Sequence, residues 1–332
     1  MKRKQTDSVA KFEKTCNALK NIDLGKLSIS TEVADSLQTK ISTIDYYTDI
    51  YADCLERFAN PQHSVLVDYG GGLAFLSYFA KAMGFAKVIY VDMNPESVRV
   101  ARQLKQLLGD GPDEILCGGS DVLRQWCLQQ GVKPDYLAAV DVIEHIYDLT
   151  PFFTDLKLIN PTMQMAFTTA SNPNNLLKMR RLRKAMLSDE VGEEQHPGFY
   201  QKRYDFIRQR FPQLSVTELQ YWAKNTRGLI YSDIESAVEL HRENEEVDQY
   251  NTCDPASGSW TERVLPFSDY RKILSMSDFR MTVYNGFYNT HAKGLKGKMS
   301  ACLNVLLRNG GMVARFFAPF VTLDVKPQNF EQ

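Results

Sequence analysis

Four aspartates stand at or just after the carboxyl ends of short apolar runs. Asp68 closes Val65-Leu66-Val67, Asp92 closes Lys87–Val91, Asp121 follows Glu114–Cys117, and Asp141 closes Asp135–Val140. Behind the first acid come three consecutive glycines, Gly70, Gly71 and Gly72, and then a helical pattern of Leu73, Leu76, Phe79, Ala80 and Met83. A strand, a glycine turn and a helix start bind small ligands for a physical reason. Glycine lets the backbone bend sharply and lets a ligand approach where a Cβ would clash. The free N–H groups of the next helix face a polar or anionic ligand edge. The stretch reads as a nucleotide-cofactor loop.

The residue types around the turn bear on which cofactor it holds. The dinucleotide fingerprint G-x-G-x-x-G needs a small last residue for close helix–strand packing. Gly70 and Gly72 match its first two positions, but the third falls on Phe75. Asp68 would repel a pyrophosphate and attract an ammonium group. S-adenosylmethionine carries both an ammonium and a sulfonium, so acids around its site make electrostatic sense, and it is preferred to a nicotinamide cofactor.

The elements that position these residues alternate. Val65–Tyr69, Lys87–Val91, Glu114–Cys117, Asp135–Val140 and Met163–Thr169 read as strands. Between them lie helical patterns, one starting at Asn94-Pro95-Glu96 with cap, first-turn proline and first-turn acid. Others cover Val122–Leu128 and Leu149–Leu158. Such alternation predicts a parallel, doubly covered α/β sheet, with ligands at the carboxyl ends of its strands.

Residues 1–60 read as a helical cap. Tyr46, Tyr47, Ile50, Tyr51 and Leu55 share one helical face there. Packing on the edge of the next domain is the preferred role of that stripe, and lining a substrate pocket the alternative. Residues 61–171 form the cofactor-binding half. Residues 172–262 break the alternation and read as a helical insertion or substrate lid. It contains the basic helix Leu176–Leu187, a helix Tyr200–Phe211, a helix opened by a capping-box pattern at Ser232–Glu235 and running to about Glu246, and the acidic patch Glu243–Asp248. Glu190, Glu193 and Glu194 partly neutralise the basic helix. Residues 263–332 resume the α/β pattern. Ser268 is the expected cap of a helix to Leu274, followed by a strand in Arg280–Asn289, a helix in Leu295–Arg308 stopped by Gly310-Gly311, and a last strand in Val313–Val325.

Composition excludes several classes. A net charge of −1 on 332 residues offers no global basic field for nucleic acid. Six scattered cysteines (Cys16, Cys54, Cys117, Cys127, Cys253, Cys302) contain no CxxC pair, which favours reduced thiols in a cytoplasmic protein over a zinc site or a disulfide framework. The basic start Met1–Lys4 leads into polar residues, not a signal-peptide core. The apolar run Phe316–Leu323 is broken by Pro319 and too short to span a bilayer.

Four motifs together resemble the class I S-adenosylmethionine-dependent methyltransferases: VLVDYGGGLA from Val65, VIYVDMN with Asp92, GGSDVL with Asp121, and YLAAVDVIEHI with Asp141. The resemblance covers about Val65–Thr169 and Leu265–Lys326, and the DVIEHI form looks most like the ubiquinone-biosynthesis type of O-methyltransferase. Ala74 departs from the family, which often has a third glycine there. The resemblance implies a Rossmann-like, doubly wound, seven-stranded sheet, mostly parallel with the last strand antiparallel, carrying the helical cap and an insertion after the fifth strand. It also implies roles. Asp68 and the Gly70–Gly72 backbone hold the methionine part, with Tyr69 beside them. Asp92 accepts the ribose hydroxyls and Met93 packs on the adenine. Asp121, with Ser120 and Val122, meets the adenine amino group, and Asp141 and Val142 stand beside the methyl group.

Methyl transfer is an in-line displacement, so alignment and deprotonation are what the protein supplies. His145 is the first-choice general base, with Asp141 and Glu144 alongside. D-x-x-E-H also resembles the E-x-x-E-H metal motif of small-RNA 2′-O-methyltransferases. Asp141, Glu144 and His145 plus His196, His241 or His291 form the less favoured Mg²⁺ or Zn²⁺ set; no metal site is assigned. The expected activity is methylation of a small or medium-sized acceptor, at oxygen. An RNA methyltransferase or a non-catalytic cofactor-binding scaffold are the alternatives. The basic helix leaves open a weak peripheral membrane contact.

Overall fold

A computed structural model describes residues 2–193, 196–242 and 250–328 of the chain. The cap consists of α1 (Lys2–Lys20), α2 (Thr31–Ser42) and α3 (Ile44–Leu55). The α/β body follows as β1 (Val65–Tyr69), α4 (Phe75–Met83), β2 (Lys87–Asp92), α5 (Pro95–Leu108), β3 (Glu114–Cys117), α6 (Ser120–Gln130), β4 (Tyr136–Val140), α7 (Leu149–Ile159) and β5 (Gln164–Thr169). The insertion carries α8 (Leu176–Val191), the short hairpin β6 (Gly192–Glu193) and β7 (His196–Pro197), α9 (Phe199–Arg210), α10 (Val216–Asn225) and α11 (Tyr231–Glu239). The body closes with α12 (Phe267–Met276), β8 (Phe279–Asn285), α13 (Leu295–Asn309), α14 (Gly311–Ala314) and β9 (Val321–Pro327).

The seven-stranded sheet has the order β3-β2-β1-β4-β5-β9-β8. Strands β1 to β5 run parallel, and β9 inserts antiparallel between β5 and β8. This is the Rossmann-like, mostly parallel sheet that the motifs imply. The strand order reverses between β1 and β4, which places a ligand crevice outside their carboxyl ends.

Alternation along each strand divides the core into two layers. Leu66, Val88, Tyr90, Tyr136 and Ala138 face the cap, α4 and α5. Val67, Ile89, Val91, Leu137, Ala139, Phe167 and Leu323 face α6, α7 and α12. The cap therefore covers a face of the sheet rather than its edge. Cys54 of α3 lies over β5, its Sγ 3.8 Å from the Ala166 carbonyl oxygen. Phe58 stacks on Tyr136 with centroids 4.5 Å apart, and Phe12 meets Phe79 edge-on at 5.2 Å. Each such buried ring contributes about 1.5–3 kcal/mol, so the cap is part of the fold's stability.

Several local expectations are corrected. Pro266, not Ser268, precedes α12. Strand β8 ends at Asn285, and the last strand begins at Val321 because residues 311–317 are helical. The capping box lies at Ser215 and Glu218, opening α10, whereas Ile230 precedes α11 and makes no side-chain cap. Helix α11 stops at Glu239; the expected run to Glu246, the patch Glu243–Asp248 and Glu194 lie outside the described residues. The insertion has its own apolar cluster of Ile207, Phe211, Leu219, Trp222, Ala223, Ile234 and Val238. It also holds a buried ion pair in which Arg203 donates to Glu190 at 2.5 Å.

Candidate functional site

The glycine turn is shaped by what stands behind it. A Cβ on Gly70 would come within 2.6 Å of Val142, and one on Gly71 within 2.5 Å of the Tyr90 ring and 2.9 Å of Asp68 Oδ2. Gly70 and Gly72 adopt φ of 64° and 51°, where glycine carries no penalty. Ala74 holds φ 61° at the start of α4 with no side-chain cap. A left-handed alanine costs about 1 kcal/mol, so the turn enters α4 at the expense of backbone strain.

Two carboxylates tie this turn to the sheet. Asp68 is 1% exposed and accepts from Ser77 Oγ at 2.6 Å. Burial, opposed by Ser77, pushes its pKa up to about 7. Asp92 accepts from the Gly72 N–H through Oδ2 and from the Asn94 N–H through Oδ1, both at 2.8 Å. Each of its oxygens keeps lone-pair capacity for a further donor. Burial raises its pKa against those two backbone bonds. Tyr90 donates to the Gly72 carbonyl at 2.7 Å and locks the turn from below.

Next to Asp92, Met93 is 67% exposed. The position of a Cβ on Gly119 lies 4.0 Å from Met93 Sδ, 3.9 Å from the Tyr69 hydroxyl and 3.0 Å from Asp121 Oδ1. Tyr69, Met93 and Asp121 are thus brought together at one end of the crevice. Val122 sits against Gly118. Ser120 is the first residue of α6 and does not cap it; its hydroxyl donates to Asp155 Oδ2 at 2.8 Å, on α7.

A cavity of about 550 Å³ joins the glycine turn to the cap. Asp68, Gly70–Gly72, Asn94, Glu96 and Asp141 line one side, and Ser30, Val33, Ser36, Lys40 and Tyr51 line the other. Its ionisable lining is mostly acidic: Asp68, Glu96 and Asp141 against Lys40. That balance fits a cationic ligand and disfavours a pyrophosphate. Phe75, at the first turn of α4, is buried where a dinucleotide turn needs a small residue.

Asp141 is the pivot between the two sides. It occupies φ 55° at the end of β4, with its N–H donating to the Thr168 carbonyl at 3.0 Å. Non-glycine residues held there store strain that surrounding structure must offset, a feature that clusters at functional sites. Burial raises its pKa; Lys40, Lys178 and His145 oppose the rise, and Glu262 adds to it. Lys40 reaches over the Tyr47 ring, 3.5 Å from its centroid. Burial lowers its pKa and the Asp141 charge opposes that. Tyr47 is pushed up to about 12 by burial and by Asp141. Tyr46 donates to the Phe287 carbonyl at 2.8 Å, and its pKa is raised by burial and then by Asp141. The tyrosine stripe therefore packs the cap, and Tyr51 of it lines the cavity.

Glu144 and His145 do not line this cavity. Glu144 is 1% exposed, beneath the Ile143–His145 turn, and burial together with Asp141 raises its pKa well above the usual range. His145 Nδ1 lies 2.8 Å from the Trp260 carbonyl. A carbonyl only accepts, so Nδ1 carries a proton and donates to it. The return from the insertion pins this loop: Trp260 N–H donates to the His145 carbonyl, Arg263 N–H to the Glu144 carbonyl, and Tyr147 stacks on Trp260.

The distant histidines are not brought to Asp141–His145. His291 pairs with Asp49 at 2.8 Å, His241 packs on Trp222, and His196 lies in the β6–β7 hairpin. Among the described residues no group of three or more His, Cys, Asp or Glu is placed to hold a metal ion. Lys40 is the residue that sequence reasoning missed. Its signal was the helical stripe Val33, Leu37, Lys40, in which one cation shares an otherwise inward face.

No family model matches the chain, and no curated sequence matches it. Among solved structures it is similar to an S-adenosylmethionine-dependent methyltransferase from Aquifex aeolicus, at 20% identity and TM-score 0.29 over 35% of this chain. It spans 61% of the length of that protein. A Mesorhizobium loti S-adenosylmethionine-dependent methyltransferase aligns at 12% identity and TM-score 0.40, covering 82% of this chain and 94% of the other. A putative methyltransferase from Bacillus halodurans aligns at 10% identity and TM-score 0.43, covering 84% and 99%. Similarity at this level assigns neither an activity nor an acceptor.

Proposed function

We propose that this chain transfers a methyl group from S-adenosylmethionine to a hydroxyl of a small or medium-sized acceptor, with Asp141 as general base. The observation that carries the reading is Asp141 itself: a strained, half-buried carboxyl lining the same acidic cavity as the glycine turn. Bound there, S-adenosylmethionine supplies a methyl group activated by its sulfonium. The chain supplies the rest. Asp68 and the Gly70–Gly72 backbone hold the ammonium end. Asp92 accepts from the ribose hydroxyls. Tyr69, Met93 and Val122 enclose the adenine, and Asp121 accepts from its amino group. Val142, packed on Gly70, keeps the turn and the acceptor loop in register.

Asp141 accepts the acceptor's hydroxyl proton as its oxygen attacks. Its raised pKa makes it a stronger base than an exposed aspartate, and general-base help of this kind contributes about 10²–10⁴-fold. Lys40 keeps Asp141 ionised before the acceptor enters and orients the acceptor's polar groups. Glu144 and the Trp260–His145 contact hold the loop that carries Asp141. Calorimetry with S-adenosylmethionine and, separately, NADH is the primary test: binding of the first alone is expected, and binding of NADH alone overturns the reading. A transfer assay with labelled cofactor over fractionated cell extract then identifies the acceptor. Label appearing only in RNA overturns the small-acceptor part.

A further inference from the structure

Helix α13 is amphipathic in the reverse sense. It buries Gly297, Ser300, Asn304 and Leu307, and it presents Leu295, Met299, Val305 and Leu306 to the surface. Its buried polar groups are satisfied. Asn304 exchanges hydrogen bonds with the Tyr288 backbone, donating at 2.9 Å and accepting at 2.7 Å. The outward apolar face is therefore not a consequence of poor packing within.

The apolar surface continues beyond α13. Met312, Val313, Phe316 and Phe317 follow, with Leu306 66% and Met312 78% exposed. Leu307, Ala314 and Ala318 pack together beneath, so both stretches belong to one structural cap. The first turn of α8 adjoins it, because Asn175 donates to the Ala318 carbonyl at 3.0 Å, and the neighbouring Leu177 is 83% exposed. A contiguous exposed surface of this kind marks an interaction site.

Its charge decides between occupants. From Phe279 to Leu323 the sequence contains no Asp or Glu, and Lys293, Lys296, Lys298 and Arg308 are exposed along it. Arg180 and Arg181, both exposed, extend this on α8. The whole chain carries a net charge of −1, so the cations are concentrated by position. A two-fold contact with a second copy would set this cationic surface against itself. Large exposed apolar side chains interspersed along the chain with exposed Lys and Arg match an anionic lipid interface, where the first enter the acyl boundary and the second meet headgroups.

We propose that α13, α14, the following turn through Phe317 and the start of α8 dock this protein reversibly on an anionic membrane. The surface is tied to α3: Phe287 packs edge-on against Tyr46 at 6.0 Å, and Tyr288 donates to the Phe317 carbonyl at 2.6 Å.

The test is flotation of the full chain with vesicles of phosphatidylcholine alone and of phosphatidylcholine mixed with phosphatidylglycerol. Binding to the mixed vesicles, weakened by added salt, is expected and requires no variant. Combined Lys293→Gln, Lys296→Gln and Lys298→Gln should weaken it about 100-fold. Combined Leu306→Ser, Met312→Ser and Val313→Ser, all at exposed positions, should weaken it at least tenfold. Absence of binding to the mixed vesicles overturns the proposal, as does unchanged binding by both variants. A dimer in sedimentation equilibrium that Leu306→Ser dissociates overturns it in favour of a second copy. Calorimetry with S-adenosylmethionine on the same variants stays unchanged, which separates docking from the cofactor reading.

Discussion

The two walls of the cavity are built on different plans. The wall proposed for the cofactor comes from one continuous strand–turn–helix unit: Asp68 and Gly70–Gly72 line it, and Asp92 on the neighbouring strand accepts from the Gly72 N–H. The wall proposed for the acceptor joins Lys40 from α2, Tyr51 from α3 and Asp141 from the end of β4. The first wall is rigid because backbone geometry defines it. The second is side chain on side chain, assembled from distant segments, so its specificity is tunable without disturbing the turn. Substitutions on the two walls should therefore separate binding from turnover.

The largest effect is expected at the pivot. Asp141→Asn should lower turnover about 100- to 1,000-fold while cofactor affinity in calorimetry changes little; equal losses in both would move Asp141 to the cofactor wall. Asp92→Ala should weaken S-adenosylmethionine binding about 100-fold, since two hydrogen bonds to a charged group are lost. Unchanged affinity with an unchanged melting temperature would remove its ribose role. Lys40→Met should raise the acceptor KM about tenfold and leave the cofactor Kd alone. A change confined to the cofactor Kd would assign Lys40 to the other wall.

The pH dependence of cofactor affinity sharpens the same division. Asp68 has its pKa raised to about 7, and a cationic ligand favours the ionised carboxylate. Affinity should rise, by up to about tenfold, as pH passes upward through 7. Stability should move the other way. Between the ordinary value of 3.8 and about 7 the folded chain holds a proton that the unfolded chain has released, so stability falls as pH rises across that window. Asp68→Asn should flatten both profiles, in calorimetry and in thermal melts; a profile that persists in this variant assigns the titration elsewhere. The smallest effect is expected at His145. Its ring is anchored to Trp260 and absent from the cavity lining, so His145→Ala should cost less than about tenfold in turnover. A loss matching that of Asp141→Asn would make His145 the base.

Much of the cofactor wall was legible in the sequence because local rules encode it. Apolar runs closed by acids mark strand ends, and three glycines mark a turn where a side chain cannot fit, as Tyr90 and Val142 make plain. Asn94 and Pro95 marked the start of α5, where the Asn94 side chain accepts from the Glu96 N–H. Where local signals were ambiguous, packing overrode them. Ser120 and Ser268 carry capping residue types, yet both fall inside helices. Ser232–Glu235 has the form of a capping box, yet α11 starts at Tyr231. Residues 311–317 are as apolar as a strand but fold as helix, because Leu307, Ala314 and Ala318 pack with α13.

By itself the sequence determined the strand–turn–helix unit, the acids at the strand ends and the mostly parallel sheet, since these follow from periodicity, glycine geometry and short-range hydrogen bonding. Only the tertiary structure decided that the cap covers a face of the sheet, that Lys40 and Asp141 line one cavity, that Glu144 turns inward, and that α13 keeps its apolar side outside. Those outcomes depend on contacts between segments far apart in the chain, such as Tyr46 with Phe287, 241 residues apart. No window of neighbouring residues carries that information, because burial and charge pairing are properties of what the folded chain brings together.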